Sequence, residues 1–143
     1  MKKLKKIFSL YDKYKEVINY LIFGFLTTVI SLIVYYALTF SVVNPDNAFE
    51  LQIANILSWV AGVSFAYVTN RKYVFKSNNS NVKRELFSFV GSRVITLLMD
   101  MFIMGLFVTI LGFNDKIMKI ISQVIVIVSN YFFSKIIVFK KQK

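Results

Sequence analysis

From Val17 to Pro45 the chain carries no charged residue, and from Leu51 to Asn70 it again carries none. A helix of ~20 residues crosses the hydrocarbon of a bilayer, where every backbone N–H and C=O has to be satisfied within its own segment. Periodicity alone would also allow a large buried helix for each run, and it is their uninterrupted length that favours membrane crossing. Two more apolar segments follow, from about Leu86 to Phe113 and from about Ile117 to Phe139. The expected fold class is therefore an all-α membrane protein with four transmembrane helices, at about 18–40, 51–70, 86–112 and 117–139. Composition agrees, because a chain that is 57% hydrophobic with a net charge of +11 has to separate the two properties along its sequence. At 143 residues there is room for one domain.

The ends of two of these segments repeat. Phe65-Ala66-Tyr67-Val68-Thr69-Asn70-Arg71-Lys72-Tyr73-Val74-Phe75-Lys76 returns 64 positions later as Ser129-Asn130-Tyr131-Phe132-Phe133-Ser134-Lys135-Ile136-Ile137-Val138-Phe139-Lys140. Tyr67, Val74, Phe75 and Lys76 recur as Tyr131, Val138, Phe139 and Lys140, and Arg71 recurs as Lys135. The four helices thus read as two tandem two-helix repeats. An aromatic border followed by cations suits a helix leaving the bilayer on its cytoplasmic side, with rings at headgroup level and cations held by anionic lipids.

Orientation follows from the cations. Fifteen lysines and arginines lie in the N-terminal tail, the 71–84 connector and the C-terminal end, against Lys116 and Lys119 near the other turns. Both termini are expected in the cytoplasm, and the loop from Asn44 to Glu50 outside. At the N-terminus, Leu4, Ile7, Phe8 and Tyr11 share one helical face among lysines. Residues 1–16 read as a basic amphipathic helix on the cytoplasmic leaflet, with a basic tail as the alternative, and residues 17–143 as the transmembrane domain. A secretory signal is not expected, because no small-residue cleavage site follows.

Cysteine and histidine are both absent, which removes thiol nucleophiles, disulfides, imidazole acid–base chemistry and most transition-metal sites. No Gly-rich phosphate loop or serine–base arrangement is present, and Asp100 and Asp115 are too far apart in sequence to read as a hydrolytic pair. No catalytic residue, metal or cofactor is expected, and the chain does not read as an enzyme.

Four short helices, Gly24 and Gly91 early in the two repeats, the block Asn70-Arg71-Lys72-Tyr73-Val74-Phe75 and its echo ending Val138-Phe139 resemble the GtrA-like family. The resemblance covers about Asn19 to Lys141. It implies a small protein of the cytoplasmic membrane associated with moving polyprenyl-phosphate-linked sugars for decoration of lipopolysaccharide, teichoic acid or other wall polymers. The resemblance raises Asn70 above an interfacial anchor; Arg71 reads equally well as an anchor and Phe75 as a border aromatic with a packing role, and both stand beside Asn70 as candidate substrate contacts. Lys135 is carried with less weight, since Ser134-Lys135-Ile136-Ile137 replaces Asn-Arg-Lys-Tyr in the second copy.

The residues themselves suggest a ladder of polar groups through an apolar bundle. Arg93 lies ~10 Å inside the cytoplasmic boundary if its helix enters near Leu86, and Asn130 lies ~13 Å inside if the last helix leaves near Phe139. Asn55, Gln123 and Lys119 belong to the outer half, and Asp100 lies past the middle. Asn55, Gly62, Ala66 and Asn70 are expected on one interior face, and Lys119, Gln123, Asn130 and Ser134 on another. An intramembrane arginine is a functional candidate by default, because burying it costs at least ~2.5 kcal/mol. The structural alternative pairs Arg93 with Asp100, two turns away on the same face. Arg93, Asn70, Asn130, Arg71, Lys119, Asp100, Phe75 and Lys135 are thus the candidate substrate-binding residues.

The expected partners are a polyprenyl-phosphate sugar lipid, anionic membrane lipids and membrane glycosyltransferases, with no nucleic acid. Four helices are few to enclose a path, so a homo-oligomer is expected. Two other readings stay open: a non-transporting subunit that positions a glycosyltransferase, and a small multidrug exporter. The exporter needs a carboxylate in the first membrane helix, which this chain lacks.

Overall fold

The computed structural model describes residues 1–44 and 46–140, and all regular structure among them is helical. The helices are α1 (Lys2–Ser41), α2 (Ala48–Thr69), α3 (Val82–Met104) and α4 (Asp115–Phe133). The last three each run on into a π-helical turn: Asn70–Val74 after α2, Gly105–Ile110 after α3 and Ser134–Val138 after α4. Among the described residues, four segments are long and apolar enough to cross a membrane: Leu4–Ser41, Phe49–Val74, Val82–Ile110 and Lys116–Val138.

Burial is inverted relative to a water-soluble fold. Large apolar side chains such as Phe25, Phe102 and Ile120 are exposed, whereas Ala54, Ser58, Ala66, Ser92, Thr96, Ser122 and Ser134 are buried. Lipid tails are as apolar as leucine, so burying leucine between membrane helices gains little. Close packing of small residues and hydrogen bonds across helices hold such a bundle instead. The chain is a multi-pass membrane protein.

The first compact unit, residues 1–76, is the α1–α2 hairpin with the π turn that follows. Ala54, Ser58, Gly62, Ala66 and Asn70 form a buried stripe at i, i+4 spacing. α1 and α2 approach closely at Gly62: a Cβ there would collide with Ser31 Oγ and lie 3.5 Å from Thr27 Cγ2. Thr27 and Ser31, one turn apart on α1, thus form the small-residue seat that receives Gly62. Asn55, expected on this interior face, is exposed and bonds Gln52 instead, while its small neighbour Ala54 is fully buried. α1 runs unbroken from Lys2 to Ser41, so the basic amphipathic segment is continuous with the first crossing.

The second unit, from Ser77 onward, is the α3–α4 hairpin. Its interior faces carry Glu85, Phe89, Ser92 and Thr96 on α3, and Met118, Ser122 and Asn130 on α4. Gln123, expected inside, is exposed, and Ser122 takes the interior place.

Three asparagines start helices. Asn47 Oδ1 accepts from the Phe49 and Glu50 amides, Asn81 Oδ1 from Arg84, and Asn114 Oδ1 from Lys116 and Ile117. Each satisfies backbone donors that have no partner within the helix. Glu50 completes the first cap by accepting from the Asn44 amide at 2.7 Å. Gly112 makes the turn before α4 with φ 70°, a conformation open to glycine.

A candidate phosphate-lipid site

The π turns set the geometry of both hairpin ends. In the first unit the Phe75 amide donates to the Asn70 carbonyl at 2.8 Å; in the second, the Phe139 amide donates to the Ser134 carbonyl at the same distance. The widened turn accompanies burial of two consecutive residues, Val74 with Phe75 and Val138 with Phe139. Each phenylalanine meets a ring on the opposite helix. Tyr20 lies 6.3 Å from Phe75 between centroids, and Phe89 lies 5.9 Å from Phe139. The border cations are anchored alike, Arg71 Nη1 lying 3.4 Å from Tyr67 Oη and Lys135 Nζ 3.2 Å from Tyr131 Oη.

At the same place in each turn sits a buried side-chain oxygen with no hydrogen-bond partner among the described residues, Asn70 Oδ1 in one and Ser134 Oγ in the other. Native proteins satisfy almost all buried polar atoms, and π turns concentrate at functional sites. Asn70, a candidate from the sequence motif, is 3% exposed; Ser134, which in sequence is one member of a polar face, is fully buried.

The second unit carries the intramembrane charges. Arg93 holds its guanidinium carbon 4.7 Å from the centroid of the Phe89 ring, within cation–π range. One turn further along α3, Thr96 Oγ1 lies 2.8 Å from Asn130 Oδ1 and 3.1 Å from the Arg93 carbonyl. The hydroxyl therefore ties Asn130 of α4 to the turn of α3 that bears Arg93. A further turn on, Asp100 Oδ2 accepts from Lys119 Nζ at 2.7 Å, and Asp100 Oδ1 accepts from Ser122 Oγ at 2.6 Å. The pairing of Arg93 with Asp100 that the sequence left open is not formed. Seven residues along one helix is a rise of ~10 Å, whereas α4 places Lys119 directly against the carboxylate. Lys119 is not simply solvated.

Of the candidate residues, Arg93, Asn130, Asp100 and Lys119 line one helix pair. Asn70, Arg71 and Phe75 belong to the end of the first hairpin, and Lys135 lies on the π turn after α4. Phe89, Thr96 and Ser122 were missed as partners. Phe89 stands at i, i+4 spacing before Arg93 on the same helix, a local signal, whereas the contacts of Thr96 with Asn130 and of Ser122 with Asp100 lie across the hairpin.

Residues 19–139 match the family model described as GtrA/DPMS, transmembrane domain. The chain belongs to this family. Among curated relatives, the cell wall teichoic acid glycosylation protein GtcA of Listeria monocytogenes is 42% identical over 135 residues, covering 92% of this chain and 90% of that protein. The protein of the same name in Listeria innocua is also 42% identical with the same coverage. YwcD of Bacillus subtilis, described as an uncharacterized membrane protein, is 33% identical over 127 residues, covering 87% of this chain and 96% of its own length. No solved structure matches the chain.

Proposed function

We propose that the protein moves a polyprenyl-phosphate-linked sugar across the cytoplasmic membrane, to be used in glycosylating cell-wall teichoic acid. The observation that carries this is Arg93: a guanidinium within a membrane-spanning helix, one turn from the buried Thr96–Asn130 pair. Its planar fork suits phosphate oxygens in a bidentate way, and an intramembrane cation of this kind marks a substrate path more often than a structural need. The Asn130 amide, oriented by the Thr96 hydroxyl, offers N–H groups to a sugar while the polyprenyl chain stays in lipid. Relatives named for teichoic acid glycosylation supply the pathway.

In this reading the two hairpins are tandem repeats with both termini cytoplasmic. The basic N-terminal end of α1 rests against anionic lipid, and copies of the chain associate to enclose the path. Asn70, Arg71, Phe75 and Lys135 serve the cytoplasmic entrance, and a membrane glycosyltransferase works with the protein without its own chemistry being done here.

Purified protein reconstituted in liposomes with a polyprenyl-phosphate sugar tests this. The sugar lipid should become accessible on the opposite leaflet at a rate that depends on the protein. A rate equal to that of empty liposomes rejects transport and leaves the glycosyltransferase-positioning role.

A further inference from the structure

Resting on the lipid-phosphate substrate proposed above, the geometry points to a second phosphate station around Lys119, with Asp100 as a carboxylate latch that competes for the same cation. Lys119 Nζ and Asp100 Oδ2 are 2.7 Å apart, on α4 and α3 of one hairpin. A partly exposed ion pair gains little net stability, because ordering the two side chains and screening of the charges offset their attraction. Its presence calls for a use.

The surroundings supply one. The Lys119 side chain is 48% exposed, and that of Asp100 is 17% exposed. An ammonium has three donors, and the carboxylate occupies one of them, so an arriving phosphate has N–H groups to bind. Phosphate oxygens and a carboxylate seek the same positive charge, so binding of the first weakens the hold of the second. When Lys119 turns away, Asp100 is not stranded: Ser122, fully buried, keeps its hydroxyl on Asp100 Oδ1 at 2.6 Å.

The two cations along this helix pair therefore differ in kind. Arg93 offers a planar fork over an aromatic ring, which favours capture. Lys119, ~10 Å further on by the rise from Arg93 to Asp100, offers a point charge already shared with a carboxylate, which favours release. The Thr96–Asn130 pair lies between them.

The test is equilibrium binding of polyprenyl phosphate, without sugar, to the full-length protein in lipid nanodiscs. Asp100→Asn should tighten binding about five-fold, the upper range for a partly exposed pair. Lys119→Gln should weaken binding and cancel the gain from Asp100→Asn in the double variant. Ser122→Ala provides a second sign. Without the hydroxyl the carboxylate depends on Lys119 alone, so affinity should fall below wild type, and this reading stands even where Asp100→Asn fails to accumulate. Asp100→Asn that binds no tighter, or Ser122→Ala that binds as wild type does, overturns the latch. If wild type binds the probe, Arg93→Ala loses it and the Asp100, Lys119 and Ser122 variants change nothing, the latch fails and the substrate reading survives. Well-folded wild type that retains no probe removes both.

Discussion

Arg93 and Gly62 show how a single residue is read in lipid. Arg93 stacks on Phe89, and Asp100 has its oxygens on Lys119 and Ser122, so neutralising Asp100 is not what Arg93 is for. Arg93→Ala should therefore abolish teichoic acid glycosylation in cells while membrane abundance holds. Arg93→Lys should restore part of it, since the charge remains and the fork is lost. Adding Asp100→Ala to Arg93→Ala should recover nothing; recovered glycosylation in the double variant would return Arg93 to a structural role. Gly62 is a packing residue by contrast. Gly62→Ala drives a methyl into Ser31 Oγ, which can rotate aside while Ser31 Cβ and Thr27 Cγ2 stay at 3.4 and 3.5 Å, so the cost is about 1 kcal/mol, the low end for overpacking. A lower thermal midpoint in detergent is expected, relieved when Ser31→Ala removes the colliding oxygen. Equal midpoints for Gly62→Ala and wild type would mean the helices separate there freely.

At the scale of elements, the two π turns present a matched pair with different side chains. Asn70 and Ser134 each leave a buried oxygen unpaired among the described residues, but only Asn70 sits in the Asn-Arg-Lys-Tyr-Val-Phe block. Removing an unpartnered hydroxyl strands nothing, so Ser134→Ala should be neutral or stabilising by up to ~1 kcal/mol and should keep glycosylation. Asn70→Ala should accumulate normally and lose glycosylation; loss of the protein from the membrane would instead make Asn70 a packing residue. The crossings were legible because twenty or more residues without charge admit few alternatives. Helix starts were less so: α2, α3 and α4 begin ahead of Leu51, Leu86 and Ile117 because Asn47, Asn81 and Asn114 cap them, and these asparagines read in sequence as turn or connector. Asn55 and Gln123 were expected inside because they are polar, yet a helix contact in lipid selects for smallness, and adjacent Ala54 and Ser122 were taken. The Thr96–Asn130 bond spans 34 positions, and no local pattern announces it.

At the scale of the whole molecule the open proposal is orientation, and charge and helix length both bear on it. α1 has 40 residues, ~60 Å at 1.5 Å per residue, against a hydrocarbon thickness of ~30 Å. The excess falls at its start, because the charge-free part begins at Val17 and reaches the end of the helix. That excess carries six lysines, and nine further lysines and arginines lie in the connector and C-terminal end that the same topology puts on that face. Only Lys116 and Lys119 lie toward the opposite turns, and Lys119 is neutralised by Asp100. Anionic headgroups and the insertion bias for positive charge both retain such segments on the cytoplasmic side. Reporter fusions at either terminus, or within Ser77–Asn81, should therefore read cytoplasm, and an insertion near Asp46 should read the outside. Because hairpins insert as pairs of crossings, the two termini have to agree. An external signal from the C-terminus alone means an odd number of crossings, and would remove the polar ladder of α3 and α4 from the path assigned to it.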